Sequence, residues 1–140
     1  MLYYLDTCIV IYAVEGQPPF QQRARNHISL LENAGHRFVI SELTLTESQV
    51  KPLGAADGAL LLDYHKFLLG PHVTTVSFTA AVYLRAALIR GTQKYSTNNK
   101  RYSLADSLHL ACAVEYRFDR FLTNDQRLSG FSDITVETLP

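Results

Sequence analysis

Short apolar runs alternate with longer segments of helical periodicity along the whole chain. The runs are rich in β-branched and aromatic residues and predict five strands, at residues 2–5, 38–40, 73–76, 120–123 and 134–136. The segments between them predict helices at residues 8–14, 20–34, 42–50, 55–69, 78–90 and 103–116, with a short helix ending at Leu128. This alternation predicts a three-layer α/β/α fold around a mostly parallel five-stranded sheet.

The ends of the predicted helices are marked by residues that favour caps or stops. Gly35 suits the position just after a helix, and Pro52 lies beyond the expected end of the third helix. Ser41, Ser77 and Ser103 each precede a helical segment and are therefore predicted to cap it. The polar and basic segment 92–102 is predicted to be a loop.

Composition predicts a folded, soluble protein. The chain has 140 residues, of which 47% are hydrophobic and 19% charged, so we expect one domain, residues 1–140, with a sizeable core. Cys8 and Cys112 each lie in an apolar run, which favours buried thiols in a reducing cytoplasm. The apolar N-terminus contains Asp6 and no basic residue, so we expect neither a signal peptide nor a membrane span.

The formal net charge is zero, which argues against a uniformly basic nucleic-acid-binding protein. The charges are nevertheless segregated, because residues 1–63 and 106–140 each carry −3 and residues 64–105 carry +6. The middle segment holds no acid and six bases: Lys66, Arg85, Arg90, Lys94, Lys100 and Arg101. A basic strip between two acidic segments is therefore compatible with a local phosphate-binding surface.

Two acids follow predicted strands. Asp6 ends the first strand, and Asp125 comes shortly after the fourth. Ligand sites in open parallel sheets form beyond the carboxyl ends of the strands, so both side chains are well placed for chemistry. Aspartate is also common in turns and caps after strands, and a purely structural role is an equally good explanation for either residue alone.

Two further acids lie on predicted helices among apolar residues. Glu47 shares a helix face with Leu43 and Val50, and Asp106 shares one with His109 and Leu110. An acid on an apolar face is costly unless it is paired or bound to a metal. A salt bridge for Glu47, and a favourable interaction with the helix dipole for Asp106, remain alternatives.

Together the four acids predict a metal site. Several carboxylates in one cleft repel each other, and a hard divalent cation such as Mg²⁺ or Mn²⁺ removes that conflict. Such an ion activates water and neutralises charge on a phosphodiester. The spacing leaves open whether one ion or two would bind.

The motifs around these acids resemble those of PIN-domain ribonucleases, most closely the VapC-type toxins of toxin–antitoxin pairs. They occur in the family's order and span nearly the whole chain. The matching pieces are Tyr4-Leu5-Asp6-Thr7, Ile40-Ser41 with Thr44 and Glu47, Leu104 to Ala111 with Ala113, and Leu122-Thr123-Asn124-Asp125. The resemblance implies a PIN-like fold and a Mg²⁺- or Mn²⁺-dependent endoribonuclease.

The resemblance also implies roles for individual residues. Four acids would form the catalytic and metal-binding quartet: Asp6, Glu47, Asp106 and Asp125. Asp6 and Asp106 would bind the metal directly, Glu47 would bind through water or help to activate it, and Asp125 would be the outermost acid. The hydroxyls beside the metal would belong to Thr7 and Thr123, and Asn124 would orient the fourth acid.

The family further implies partners for the chain. These are an RNA substrate, a cognate VapB-type antitoxin whose C-terminal segment fills the active-site groove, and a second copy in a homodimer. For the RNA surface we expect the basic strip that precedes Asp106: Arg85, Arg90, Lys94, Lys100 and Arg101. Tyr95 and Tyr102 are predicted to stack on unpaired bases. His109 is expected to be a core histidine or to support the site.

Two other function classes deserve comparison. One is a non-catalytic module that binds nucleic acid or the antitoxin and represses its own operon, against which the complete quartet argues. The other is a different phosphotransfer enzyme. A haloacid-dehalogenase-like phosphatase needs a second aspartate two residues after the first, where Cys8 stands. A receiver domain needs an N-terminal acidic pair and a late lysine, and neither is evident; no P-loop or GxGxxG motif is present.

Overall fold

A computed structural model describes residues 1–140. The five strands are β1 (Leu2–Leu5), β2 (Arg37–Ser41), β3 (Val73–Val76), β4 (Arg120–Thr123) and β5 (Val136–Thr138). The six α-helices are α1 (Thr7–Glu15), α2 (Phe20–Asn33), α3 (Glu42–Gly54), α4 (Gly58–Leu68), α5 (Ala80–Thr92) and α6 (Leu104–Glu115). A 3₁₀ helix, Gln126–Gly130, lies between β4 and β5.

The strands form one parallel sheet in the order β3-β2-β1-β4-β5. Tyr4 of β1 is paired with Val39 of β2 on one side and with Phe121 of β4 on the other. The chain builds outward from β1 through β2 to β3, and then continues on the opposite side of β1 with β4 and β5. In sheets of this kind ligands bind beyond the carboxyl ends of the strands at such a reversal, which here lies between β1 and β4.

Helices cover both faces of the sheet and bury it. On one face, Tyr4 and Phe121 pack in a cluster that includes Val82 of α5 and Leu110 of α6. On the other face, Leu5 packs in a cluster with residues of α1, α2 and α4. The architecture is therefore the predicted three-layer α/β/α arrangement, and the sheet is entirely parallel rather than mostly so. No helix is both long enough and apolar enough to cross a bilayer.

The first four strands agree with the sequence prediction to within one residue, whereas β5 was predicted two residues too early. Ile134 is buried in the core just before the strand begins. Pairing with β4 starts at Val136, opposite Phe121, and runs to Thr138, opposite Thr123. The buried apolar residue of the loop was therefore mistaken for the first residue of the strand.

Four predicted helix boundaries were wrong by two residues or more, one of them the end of α5. Helix α3 continues through the buried Pro52, which lies in the last turn of the helix and does not interrupt it. Helix α4 begins after Asp57 and α5 after Thr79, because these side chains accept hydrogen bonds from the amides of the first turn. Ser41 precedes α3 without capping it through its side chain.

Helix α5 ends at Thr92, two residues later than predicted, and residues 93–102 lack helix and strand but are closed by a bridge between Lys94 and Arg101. Tyr95 is only 5% exposed and Tyr102 only 2%, and both belong to the core on the α5–α6 face. Their rings contact each other at a centroid separation of 4.5 Å. The prediction that these tyrosines stack on unpaired bases is therefore wrong, because they anchor the loop instead.

Candidate active site

The four predicted acids all lie close to the carboxyl edge of the sheet. Asp6 follows β1 and caps α1, while Asp125 follows β4 and caps the 3₁₀ helix. Glu47 lies in the second turn of α3, directly after β2. Asp106 lies in the first turn of α6. The Ser103 side chain caps this helix by accepting a hydrogen bond from the amide N–H of Asp106.

Asp6 is the most buried of the four, with 8% of its surface exposed. Its Oδ1 accepts the amide N–H of Thr7 at 2.9 Å, and its Oδ2 accepts the hydroxyl of Thr123 at 2.7 Å. Burial raises the pKa of this carboxyl, and the charge of Asp106 adds to the rise, while His109 and Thr123 oppose it. A buried carboxylate with a raised pKa is a group that a bound cation would stabilise.

Glu47 reaches the site from α3 and is held by two donors. Its Oε1 lies 2.8 Å from the Thr7 hydroxyl and 2.6 Å from Nε2 of His109. Burial by itself would raise the pKa of Glu47, but hydrogen bonds from His109 and Thr7 outweigh it, so the pKa lies below its usual value. Glu47 is therefore held as a carboxylate at neutral pH.

His109 lies behind Glu47, with 2% of its surface exposed. Its second ring nitrogen, Nδ1, is 2.6 Å from the Tyr4 hydroxyl, which is 2.8 Å from Oγ of Ser41. The chain of hydrogen bonds thus links β2, β1, α6 and α3. It fixes the orientation of the imidazole that holds Glu47.

Asp106 contacts the loop that precedes α6. The buried Tyr95 donates its hydroxyl to Oδ2 of Asp106 at 2.5 Å. Burial and the Asp106 charge both raise the pKa of Tyr95, so its proton stays on the phenol. Oδ1 of Asp106 receives no hydrogen bond from the protein.

Asp125 is paired with an arginine two residues later. The Arg127 guanidinium lies 3.0 Å (Nε to Oδ1) and 2.6 Å (Nη2 to Oδ2) from the carboxylate. Hydrogen bonds from Arg127 lower the pKa of Asp125 despite its partial burial. The amide of Asp125 donates to the Thr123 hydroxyl, which joins this acid to Asp6.

Cys8 borders the same site. Its Sγ lies 3.6 Å from Oδ2 of Asp6 and 3.7 Å from the Thr123 hydroxyl. Burial and the charge of Asp6 raise the pKa of the thiol to about 12, so it remains protonated. The amide of Asn124 is 3.5 Å from this sulfur, while the Asn124 side chain forms no hydrogen bond.

The donors at this edge fit a hard divalent cation in kind. They are carboxylates and hydroxyls, the oxygen ligands that Mg²⁺ and Mn²⁺ prefer. Oδ1 of Asp106 and Oε2 of Glu47 have no protein donor and are free to meet a ligand. In the present side-chain arrangement no three acids, histidines or cysteines form a group that could hold an ion. Each of the four acids instead accepts at least one hydrogen bond from a protein group.

The predicted RNA-binding strip is divided by the structure into two kinds of residue. Three arginines have protein partners: Arg85 is paired with Glu115, Arg90 donates to the carbonyl of Tyr102, and Arg101 donates to the carbonyls of Arg90 and Gly91. Lys94 and Lys100 are exposed, and their ammonium groups form no hydrogen bond. These two lysines are therefore the members of the strip that are free to meet a phosphate.

Two residues of the site were missed as site residues by the sequence analysis. Tyr95 was predicted to stack on an unpaired base of the RNA, whereas the structure places its hydroxyl on Asp106. Arg127 was overlooked because only the acids were considered around Asp125. The sequence does place Arg127 two residues after Asp125, and this spacing could have indicated an ion pair.

Comparison with known proteins identifies one family. The model of the PIN domain matches residues 3–134, which is nearly the whole chain. No curated protein matches the sequence.

Several solved structures share the fold. VapBC2 from Rickettsia felis, bound to a promoter DNA fragment, is 19% identical, with a TM-score of 0.81 and 100% of each chain covered. DNA-bound VapBC from Salmonella typhimurium is also 19% identical, with full coverage of both chains and a TM-score of 0.69. Mycobacterium tuberculosis VapC20, a toxin that cleaves the sarcin–ricin loop, is 14% identical, with a TM-score of 0.68 and coverage of 95% of this chain and 98% of that one.

Proposed function

The chain belongs to the PIN-domain family, and on that premise we propose that it is a metal-dependent endoribonuclease, the VapC-type toxin of a toxin–antitoxin pair. One observation carries the proposal. Asp6, Glu47, Asp106 and Asp125 are gathered at the carboxyl edge of the sheet around the reversal of strand order. The structures of toxin–antitoxin complexes with this fold support the biological role.

Each acid has a distinct part in the proposed mechanism. Bound Mg²⁺ or Mn²⁺ would supply charge neutralisation at the phosphodiester and acidify a water molecule. Asp6 and Asp106 would hold the ion, with Asp125 at the outer side. Glu47, fixed by His109 and Thr7, presents Oε2 to accept a proton from the attacking water. The hydroxyl of Thr7 holds the Glu47 carboxylate in place, and that of Thr123 holds the Asp6 carboxylate.

The test is cleavage of a defined RNA in Mg²⁺ and in Mn²⁺ by the wild type, by Asp6→Ala and by Asp106→Ala. We expect both variants to lose cleavage and to keep their circular dichroism spectrum. Asp63→Ala removes an exposed acid on α4 and is the matched control, with cleavage equal to that of the wild type. Unchanged cleavage in both site variants contradicts the mechanism, and RNA binding without cleavage by the wild type indicates a non-catalytic module instead.

The proposed antitoxin, whose C-terminal segment is expected in the active-site groove, would also occupy a second groove between α1, α2 and α4. This groove, of about 480 Å³, has an apolar floor that includes Val14, Ile28 and Phe67, and a charged rim of two bases, Arg25 and Lys66, and one acid, Asp63. An amphipathic segment with acidic flanks would complement both features. Co-purification with the product of the adjacent small gene tests this assignment, and Ile28→Glu should abolish it.

The proposed homodimer would use the outer face of α5. Tyr83, Leu84 and Leu88 are between 55% and 73% exposed, and they form an uncharged apolar strip that can meet its own copy. We expect sedimentation to report a dimer for the wild type and a monomer for Leu84→Glu. The proposed site of action is the cytoplasm, where RNA and antitoxin are available together.

A further inference from the structure

One cation lies inside the acidic site and has no role in holding a metal. The guanidinium of Arg127 contacts Asp125 through Nε and Nη2, and it also lies over the ring of Tyr95, 5.1 Å from the centroid. Tyr95 in turn donates to Asp106. Arg127 is thereby fixed beside both of the acids that follow β4 and begin α6.

Fold stability does not explain why an arginine occupies position 127. Its side chain is 54% exposed, and exposed ion pairs contribute little to stability. The Asp125 carboxylate already caps the 3₁₀ helix by accepting the amide of residue 127, which any amino acid other than proline provides. A positive charge next to a carboxylate also weakens the binding of a metal cation there. Since Arg127 adds little stability and weakens metal binding at Asp125, we look for a function of this arginine in substrate binding.

The remaining donors of Arg127 point to that function. Its Nη1 forms no hydrogen bond in the protein, whereas Nε and Nη2 are engaged with Asp125. A guanidinium presents its donors in a planar fork that matches two oxygens of a phosphate as well as those of a carboxylate. The exposed edge of the Arg127 guanidinium can thus donate to a phosphate while the other edge remains hydrogen-bonded to Asp125.

We propose that Arg127 is a phosphate-binding residue that holds the RNA backbone at the Asp106–Asp125 side of the site. The inference rests on the proposed function, because it assigns a contact to the RNA substrate of that same site. It resolves an electrostatic difficulty, since the four acids repel an approaching polyanion and Arg127 offers the counter-charge within the site itself. Tyr95 keeps the guanidinium in place by lying beneath it.

The test measures RNA binding without catalysis. A labelled single-stranded RNA is titrated by fluorescence anisotropy in EDTA, at salt concentrations from about 0.05 to 0.2 M. We expect Arg127→Gln to raise Kd about tenfold, as for the loss of a charged hydrogen bond. We also expect the slope of log K against log salt to fall by roughly 0.7, the value for one phosphate contact on a single strand. Arg127→Lys should be intermediate because it keeps the charge and loses the fork.

The matched control is Arg37→Gln. Arg37 is an exposed arginine at the amino end of β2, at the opposite edge of the sheet, so the variant has the same net charge as Arg127→Gln. Its Kd and slope should equal those of the wild type. If Arg37→Gln and Arg127→Gln lost RNA affinity equally, the loss would follow from net charge alone, and the inference would be overturned.

The remaining outcomes also decide the question. A lower melting temperature for Arg127→Gln with an unchanged salt slope would make Arg127 a structural anchor and reject the phosphate contact. A wild type that cleaves RNA while Arg127→Gln binds normally rejects this inference and leaves the proposed function standing. A wild type that neither binds nor cleaves RNA rejects both.

Discussion

The acids of the site form two pairs with different surroundings. Asp6 and Glu47, the inner pair, are held by the hydroxyls of Thr7 and Thr123 and by the buried His109. Asp106 and Asp125, the outer pair, are held by Tyr95, from a polar loop, and by the half-exposed Arg127.

The difference shows how one site can be both rigid and open to substrate. The partners of the inner pair lie on α1, β4 and α6, whose packing fixes them before any ligand arrives. The partners of the outer pair lie on the loop before α6, where Tyr95 is buried, and on the 3₁₀ helix, where Arg127 is half-exposed. We infer that the inner pair fixes one side of the metal site in advance, and that the outer pair, in which Asp106 also holds the metal, lies on the side that faces the RNA.

The largest effect is expected from Asp6→Asn in the inner pair. Cleavage should fall at least a hundredfold, on the order of what the loss of a metal ligand costs. The metal-free protein should become more stable at neutral pH. The raised pKa of Asp6 means that the folded state favours the protonated form, so ionisation above that pKa costs folding free energy.

Thermal unfolding at pH 7 checks this stability gain. An increase in Tm of about 3 °C is expected for Asp6→Asn. The increase should shrink as the pH falls through the pKa of Asp6, because the wild-type carboxyl then becomes neutral too. A lower Tm at neutral pH would contradict the claim that the inner pair is held at a cost.

A smaller effect is expected from His109, which acts through Glu47. His109→Ala removes the donor to Oε1 and should lower kcat and Mn²⁺ affinity by about 10- to 100-fold, the usual range for groups behind a metal ligand. His109→Gln keeps an N–H donor near Glu47 and should recover part of the loss. Tyr4→Phe removes the hydroxyl that bonds Nδ1 and Ser41 but leaves the imidazole on Glu47, and it should cost less than either.

If His109 were only a core residue, the melting temperature would fall in His109→Ala and His109→Gln alike, with no recovery of kcat or of Mn²⁺ affinity in the glutamine variant. That result would remove His109 from the inner pair's support.

The sequence predicted the sheet and the four acids well because both depend on local patterns. Strands β1 and β3 were predicted residue for residue, and Asp6 and Asp125 were expected at the carboxyl ends of neighbouring strands. The PIN-domain resemblance is confirmed by the family match. The assignment of catalytic roles to the four acids stays a prediction.

What the sequence did not predict depends on contacts between distant segments. Whether Tyr95 faces bases or the core is decided by its packing against Tyr102, and its bond to Asp106 spans 11 residues. Pro52 lies inside the last turn of α3 rather than beyond its end, where it is buried by packing that the sequence does not show. Arg85, Arg90 and Arg101 have protein partners that no charge count reveals.

In the outer pair, Tyr95→Phe should have a moderate effect. The ring and its packing remain, and only the hydrogen bond to Asp106 is lost, which is worth about fivefold in activity. Steady-state kinetics should show an increase in KM larger than the loss in kcat if the outer pair meets the RNA. A pure loss of kcat would instead place Asp106 with the inner pair.

The smallest effect is expected from Asp125→Asn on stability. The lowered pKa of Asp125 means that its ion pair stabilises the fold above its unfolded pKa and that this contribution is lost as the pH falls through the folded pKa. Because the pair is exposed, the change in Tm at pH 7 should be only about 1 °C and should vanish in high salt. A large, salt-independent change would show that the outer pair is as fixed as the inner one.

The central claim is that both pairs serve one metal site, and calorimetric titration with Mn²⁺ tests it most directly. The wild type, Asp6→Asn from the inner pair, Asp106→Asn from the outer pair and the control Asp63→Asn would be compared. The account predicts binding by the wild type and by the control, and its loss in both site variants. Mn²⁺ binding that survives either Asp6→Asn or Asp106→Asn, or a wild type that binds no Mn²⁺, would contradict it.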